Sequence, residues 1–127
     1  MGRNSFEKVL TFGGWPYNKK VIVLSSRDLP LPPELADKVE ALHLSPRELV
    51  HEMDIRGAKG IYLDGGITIQ RFLQEGLVNE MTITTIPILI GEGLPLFGSL
   101  DRDLKLELLS SISFKNGFVQ NQYKVQY

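Results

Sequence analysis

Between Ile61 and Leu73 an apolar, strand-like stretch, Ile61-Tyr62-Leu63, passes through Asp64 and the paired glycines Gly65-Gly66 straight into the amphipathic helix pattern of Ile67 to Leu73. A helix that starts at two glycines turns unpaired backbone N–H groups, and the positive end of its dipole, toward whatever lies ahead of it. With no side chains in the way, a phosphate can approach closely. The segment is therefore either a turn that holds a dinucleotide or a plain strand-to-helix connection of an α/β protein, and the rest of the chain has to decide.

The chain has 127 residues, 43% of them hydrophobic, which suits one domain spanning residues 1–127 around a single core. A net charge of -1 with scattered basic residues leaves no electrostatic footprint for nucleic acid or an anionic membrane, so the expected partner is a small molecule. Cysteine is absent, which removes disulfides, thiolate metal sites and cysteine nucleophiles and fits a cytoplasmic setting. The longest apolar run, Ile83 to Ile90, is too short and too threonine-rich to span a bilayer, and no apolar signal segment opens the chain. His43 and His51 lack the neighbours of a metal site, so surface or packing roles are expected for them. Ser99, Ser110 and Ser111 lack the histidine and acid of a nucleophile.

Periodicity predicts a helix over Gly2 to Phe12, with Phe6, Val9 and Leu10 on one side and Gly13-Gly14 as its stop. Lys20 to Ser25 is a β-branched run suited to a strand covered on both faces, and Val39 to Leu44 is a short edge strand. Ser45-Pro46-Arg47-Glu48 combines an N-cap serine, a proline at the first helical position and a glutamate that completes a capping box. That helix is expected to reach Ile55 and stop at Gly57, followed by a buried strand over Gly60 to Leu63 and a helix over Thr68 to Glu75 closed by Gly76. Alternating strands and helices of this kind give parallel strands with crossover helices, so the class is α/β. After Val78 the pattern changes. A strand over Met81 to Ile86 leads into a glycine-rich turn, and two further strands, Leu104 to Phe114 and Phe118 to Tyr127, meet at Asn116-Gly117, a dipeptide suited to positive φ in a tight hairpin.

Three separated segments carry a family likeness: Gly2-Arg3-Asn4-Ser5-Phe6-Glu7, Val23-Leu24-Ser25-Ser26-Arg27 and Leu63-Asp64-Gly65-Gly66. In this order and spacing the chain resembles the dihydrofolate reductase-like fold. It is most similar to the C-terminal reductase domain of the bifunctional deaminase-reductase of riboflavin biosynthesis and that domain's small stand-alone relatives. The run Leu77-Val78-Asn79-Glu80-Met81, followed by Pro87 to Phe97, is similar to that branch's ending.

The resemblance implies a three-layer α/β/α fold, with a mostly parallel, twisted sheet and a C-terminal antiparallel hairpin, binding NADPH along the C-terminal ends of its strands. It implies that Gly2, Arg3, Asn4 and Ser5 contact the cofactor phosphates, with Arg3 toward the adenosine. Leu24, Ser25, Ser26 and Arg27 would border the adenine ribose and its 2′-phosphate. Asp64, Gly65, Gly66, Ile67 and Thr68 would hold the pyrophosphate, Asp64 with a charge that must point away from it. Hydroxyls and backbone N–H groups suit phosphate oxygens, and a guanidinium suits the 2′-phosphate. Plainer roles for Ser25, Ser26 and Arg27, a strand end and a solvated loop charge, stay open beside these.

In the family the Gly-Arg motif follows an N-terminal strand and a segment that lines the substrate pocket. Here it begins at Met1, so the first strand and the substrate-side residues after it, including the carboxylate used by true dihydrofolate reductases, are expected to be missing, and no catalytic residue can be named. Unpaired strand edges then favour a homodimer, with the face bearing Tyr123, Val125 and Tyr127 as a candidate interface. Glu80 and Glu92 are candidates for touching substrate, and Trp15 and Tyr17 could wall the nicotinamide or anchor a loop. The implied activity is NADPH-dependent hydride transfer to 5-amino-6-(5-phosphoribosylamino)uracil. The alternatives are a dihydrofolate reductase, or a fragment that binds nucleotide or self-associates without turnover.

Overall fold

Phe6 and Val9, three positions apart, are both buried, and this pair sets the inner face of α1 (Arg3–Leu10). The computed structural model describes all residues from Met1 to Tyr127, in the order α1, β1 (Val21–Leu24), a single 3-10 turn at Pro33–Leu35, β2 (Val39–Leu42), α2 (Pro46–Ile55), α3 (Gly66–Gln74), β3 (Glu80–Thr85), β4 (Lys105–Ser113) and β5 (Val119–Gln126). The class is mixed α/β, with one parallel and one antiparallel sheet. The chain divides into two compact units, Met1–Arg71 and Phe72–Tyr127. No helix is long and apolar enough to cross a membrane.

In the first unit β1 and β2 pair in parallel, Val21 to Val39 through Leu24 to Leu42. Val23 is fully buried, and it forms a core with Phe6, Leu35 and Val39 against which Met1, Trp15, Val21, Leu29 and Leu31 pack. The other edge of β1 is taken by the first two residues of the chain: Met1 N donates to the Ile22 carbonyl at 2.7 Å, Leu24 N donates to the Met1 carbonyl at 2.8 Å, and Gly2 bridges Leu24 in parallel. The start of α1 is thereby tied to the C-terminal end of β1. The capping box of α2 forms in full. Glu48 N donates to Ser45 Oγ while the Glu48 carboxylate accepts from Ser45 N at 2.8 Å, with Pro46 in the first turn and Gly57 at φ +74° beyond the end.

The buried strand expected over Gly60 to Leu63 does not form: Ile61 is 42% and Tyr62 91% exposed, and the segment pairs with no strand. Its apolar pattern suits a sheet interior, but both flanks of β1 are taken, by β2 on one side and Met1-Gly2 on the other, and the segment does not join the sheet. The segment runs extended into Gly65, at φ +92°, and α3.

The second unit is an antiparallel sheet in the order β3-β5-β4. Gln120, Gln122 and Gln126 use one face of β5 to bond Thr84, Glu80 and Glu107, as its alternation predicts. Val125 on the other face is buried, and the Tyr127 hydroxyl accepts from Val78 N and donates to the Val78 carbonyl. Two members of the stripe expected as an interface are thus engaged within their own unit, whereas every residue of β4 is exposed. Only Gly117 of the hairpin dipeptide has positive φ; Phe114 N donates to the Phe118 carbonyl across the turn and Asn116 Oδ1 accepts from Phe118 N. This is a longer loop with one left-handed glycine, in place of the tight turn that needs two such residues. A bulge between Leu108 and Ser110 shifts the β4–β5 register.

Candidate functional site

The site is built where α1 and α3 begin. An ideal Cβ on Gly2 would lie 2.6 Å from Thr68 Oγ1, and one on Gly65 would collide with Ser5 Oγ and lie 3.7 Å from Gly2 N. Both glycines are therefore required by close approach, Gly65 by its backbone angle as well. Two helix N-termini and two hydroxyls converge on one place. Thr68 is buried, Ser5 half-buried.

The contrast with α2 shows what this arrangement leaves available. The first turn of α2 is closed by its own Ser45 and Glu48, whereas Gly2 at the start of α1 offers no side-chain cap and neither α1 nor α3 has an acidic residue in its first turn. The leading N–H groups of a helix without caps seek acceptors from outside, and the dipole favours anionic ones.

Asp64 is the anion beside this place, and both of its oxygens are engaged. Oδ1 accepts from Gly65 N at 2.7 Å and Oδ2 accepts from the Tyr17 hydroxyl at 3.2 Å. Burial first, and then the Asp64 charge, push the Tyr17 phenol above its ordinary range, so it remains a neutral donor. Tyr17 in turn stands edge-on to Trp15, with ring centroids 5.2 Å apart, and Trp15 stands edge-on to Phe6 of α1 at 6.0 Å. An aromatic chain thus connects the core face of α1 to the residue that leads into α3. Trp15 Nε1 within it is buried and has no hydrogen-bond acceptor.

A cavity of about 450 Å³ opens at the C-terminal ends of the parallel strands, lined by Ser25, Arg27, Asp28, Leu29 and Pro30 after β1 and by Ala41, Leu42 and His43 at the end of β2. Crevices at the carboxyl ends of parallel strands are the usual ligand sites of α/β sheets. Ser25 N donates to the Leu42 carbonyl at 3.1 Å, so the two strand ends stay paired up to the cavity. The Ser25 hydroxyl donates to the Arg27 carbonyl at 2.6 Å and accepts from Arg27 N at 3.3 Å. That small turn folds the Arg27 backbone back over the strand ends.

Of the residues singled out from the sequence, Gly2, Ser5, Gly65 and Thr68 come together, Leu24 is bridged to Gly2, Asp64 caps Gly65, and Ser25 and Arg27 share the cavity. Arg3 turns its Nε to Glu7 at 2.6 Å, while Asn4, Ser26, Gly66 and Ile67 lie exposed beside the site. In the second unit, Glu80 accepts from Gln122 and Glu92 is exposed. His43, expected from the sequence to have a surface or packing role, is exposed and lies on the rim of the cavity at the end of β2. Tyr17 as a partner of Asp64 had no local signal, because 47 positions separate them.

Away from the opening, Glu40 on β2 accepts from both terminal nitrogens of Arg56, at 2.8 and 3.1 Å, and pairs with Lys20 at 3.1 Å. Arg56 also donates to Glu52 at 2.7 Å. These bonds, those of Arg56 first and that of Lys20 second, hold the Glu40 carboxyl down at about 2.

Comparison with known proteins agrees with this layout. A structure of a Shewanella sp. PV-4 protein assigned to riboflavin biosynthesis superposes on all of this chain, 72% of its own length, with a TM-score of 0.94 and 38% identity. A pyrimidine reductase-like protein of Corynebacterium diphtheriae shares the fold alone, with a TM-score of 0.60 and 21% identity over 84% of this chain and 50% of its own. Two Bacillus subtilis proteins without an assigned function also match. YyaP is 34% identical over 77 residues, and YwjB is 29% identical over 118, which are 60% and 90% of this chain. The chain spans 41% and 66% of the lengths of those two relatives. Residues 17–120 match the family described as the RibD C-terminal domain, and with most of its length accounted for in this way the chain belongs to that family.

Proposed function

We propose that this chain is the nucleotide-binding part of an NADPH-dependent reductase acting on a small heterocycle of the 5-amino-6-(5-phosphoribosylamino)uracil class. The observation that carries the reading is the convergence of the α1 and α3 N-termini through the Gly2–Thr68 and Gly65–Ser5 approaches. The donor set suits a dinucleotide. Side-chain-free N–H groups and the Ser5 and Thr68 hydroxyls match a diphosphate, and the Arg27 guanidinium matches a phosphate monoester. The apolar walls Leu29, Pro30 and Leu42 match a purine ring.

NADPH, when bound, supplies the hydride and both reducing electrons. The chain's own residues bind and orient. Gly2 and Gly65 keep the phosphate-facing amides clear of side chains. Tyr17 and Gly65 occupy the two Asp64 oxygens, which directs that carboxylate to donors of the protein itself. The packed Phe6-Trp15-Tyr17 chain keeps α1 in register with the entry to α3.

Titration of the 127-residue protein with NADPH and NADH, read by calorimetry and by Trp15 fluorescence, tests the binding half of the proposal. Saturable binding selective for NADPH supports it, and no binding of either sinks it. Oxidation of NADPH on addition of the ribosylaminopyrimidine, followed at the dihydronicotinamide absorbance, tests the other half. Turnover on dihydrofolate alone would redirect the substrate assignment, and binding without turnover on either would leave a nucleotide-binding role.

A further inference from the structure

The lining of the cavity carries one guanidinium, Arg27, one carboxylate, Asp28, and one imidazole, His43. With His43 neutral, the formal charge of this lining is zero. A phosphate monoester near neutral pH carries a charge of about -1.5 to -2. A cavity of zero net charge gives such a group little electrostatic preference over a ribose hydroxyl, because the attraction of Arg27 is opposed by Asp28 on the same rim. The lining lacks one positive charge, and His43 is the group in it able to gain one.

We propose that His43 is a specificity-determining residue: it takes up a proton when a ribose phosphate monoester enters the cavity, so that Arg27 and His43 together select NADPH over NADH. The inference rests on the cofactor reading above. It follows from register. Leu24 lies beside Leu42 in the parallel pair and Ser25 N bonds the Leu42 carbonyl, so the residue after β2 and the turn after β1 sit at one sheet end. The Ser25 hydroxyl pins that turn at the Arg27 backbone.

The carboxylates of β2 and of the first turn of α2 nearest His43 are bonded within the protein. Arg27 and Asp28 reach the cavity from the loop after β1. The first turn of α2 carries Glu48, whose carboxylate is spent on Ser45 N at 2.8 Å and Ser45 Oγ at 2.7 Å. Those bonds first, and the charge of His43 to a lesser degree, lower the Glu48 carboxyl. On β2 itself Glu40 is engaged by Arg56 and Lys20. An imidazole is the side chain whose charge ordinarily changes between about pH 5 and 8. A phosphate monoester presented to it favours the charged form, and by linkage the charged form favours the phosphate.

The experiment measures dissociation constants for NADPH and NADH at pH 6.5 and 8.5 on the wild-type protein and on His43→Gln, His43→Lys and His51→Gln. NADPH calorimetry is repeated in two buffers of different ionisation enthalpy. Wild type and His51→Gln are expected to bind NADPH about tenfold more weakly at pH 8.5, with proton uptake on binding, and to bind NADH equally at both. His43→Gln is expected to bind NADPH weakly with no proton uptake, any residual pH dependence being that of the ligand's own phosphate. His43→Lys, a fixed cation, is expected to bind tightly at both pH values. If NADPH binds selectively but His43→Gln keeps the wild-type pH dependence and proton uptake, the role of His43 is overturned while the cofactor reading stands. If neither nucleotide binds the wild-type protein, both fall together.

Discussion

Tyr17 donates its hydroxyl hydrogen to Asp64 Oδ2 at 3.2 Å, and the other oxygen of the same carboxylate caps Gly65 N. The pair explains how an acidic residue can stand beside two helix N-termini proposed to receive a diphosphate: its charge is committed to donors of the protein. Tyr17→Phe removes one of them and is expected to weaken NADPH binding about threefold to tenfold, the net size of one ordinary hydrogen bond. Asp64→Asn keeps an acceptor for Gly65 N and removes the charge, so its NADPH affinity should equal or exceed that of wild type. Calorimetry on the two variants checks both directions; a loss of affinity in Asp64→Asn would show that the charge itself is needed.

The two close glycines should respond differently to a compensating change. Gly2→Ala places a methyl 2.6 Å from Thr68 Oγ1 and is expected to cost about 1–3 kcal/mol in urea unfolding. Adding Thr68→Ala removes that oxygen, so the double variant should be less unstable than the sum of the singles. Gly65→Ala has no such rescue, because its φ of +92° strains any side chain even after Ser5→Ala clears the space.

Stability should carry the signature of Glu40. Its carboxyl titrates at about 2 in the folded protein against 4.5 ordinarily, so folding favours the ionised form. Its stabilisation is complete above the unfolded value and is lost as pH falls from 4.5 through about 2. Glu40→Gln is expected to cost about 1 kcal/mol at pH 7, a figure limited by solvent screening, with the gap to wild type closing toward pH 2. Denaturant melts across that range measure it, and a gap independent of pH would exclude this linkage.

The isolated protein is expected to self-associate. Leu106, Leu108, Leu109 and Ile112 of β4 are 42–56% exposed, and Leu89 and Leu94 are 100% and 98% exposed. Leu106 and Leu108 stand on one face of the sheet, and exposed apolar side chains of this size favour association in water. Light scattering at low micromolar concentration should give a mass above that of the monomer, falling toward it in Leu106→Lys/Leu108→Lys; a monodisperse wild-type monomer would refute the expectation.

Local signals were legible in the sequence. The Ser45-Glu48 box, the stops at Gly57 and Gly76 and the polar face of β5 are each written in a few neighbouring residues, and each forms as read. The glycines of the site were legible as glycines, but not as packing partners of Ser5 and Thr68, because that contact depends on where two helices meet. Gly60 to Leu63 misled because an apolar run reports suitability for a sheet and does not say whether a strand will pair with it. The place of His43 on the cavity rim was not legible either, because it depends on the parallel register of β1 and β2.

The bulge between Leu108 and Ser110 changes what β4 can offer to another strand. Before it, the even-numbered Leu106 and Leu108 stand opposite Val125 and Tyr123; beyond it, the even-numbered Ser110 and Ile112 stand opposite Gln122 and Gln120 on the reverse face. A flat strand laid along this edge would match one half and be out of phase with the other. The irregularity makes the margin a poor template for edge-to-edge growth into fibrils.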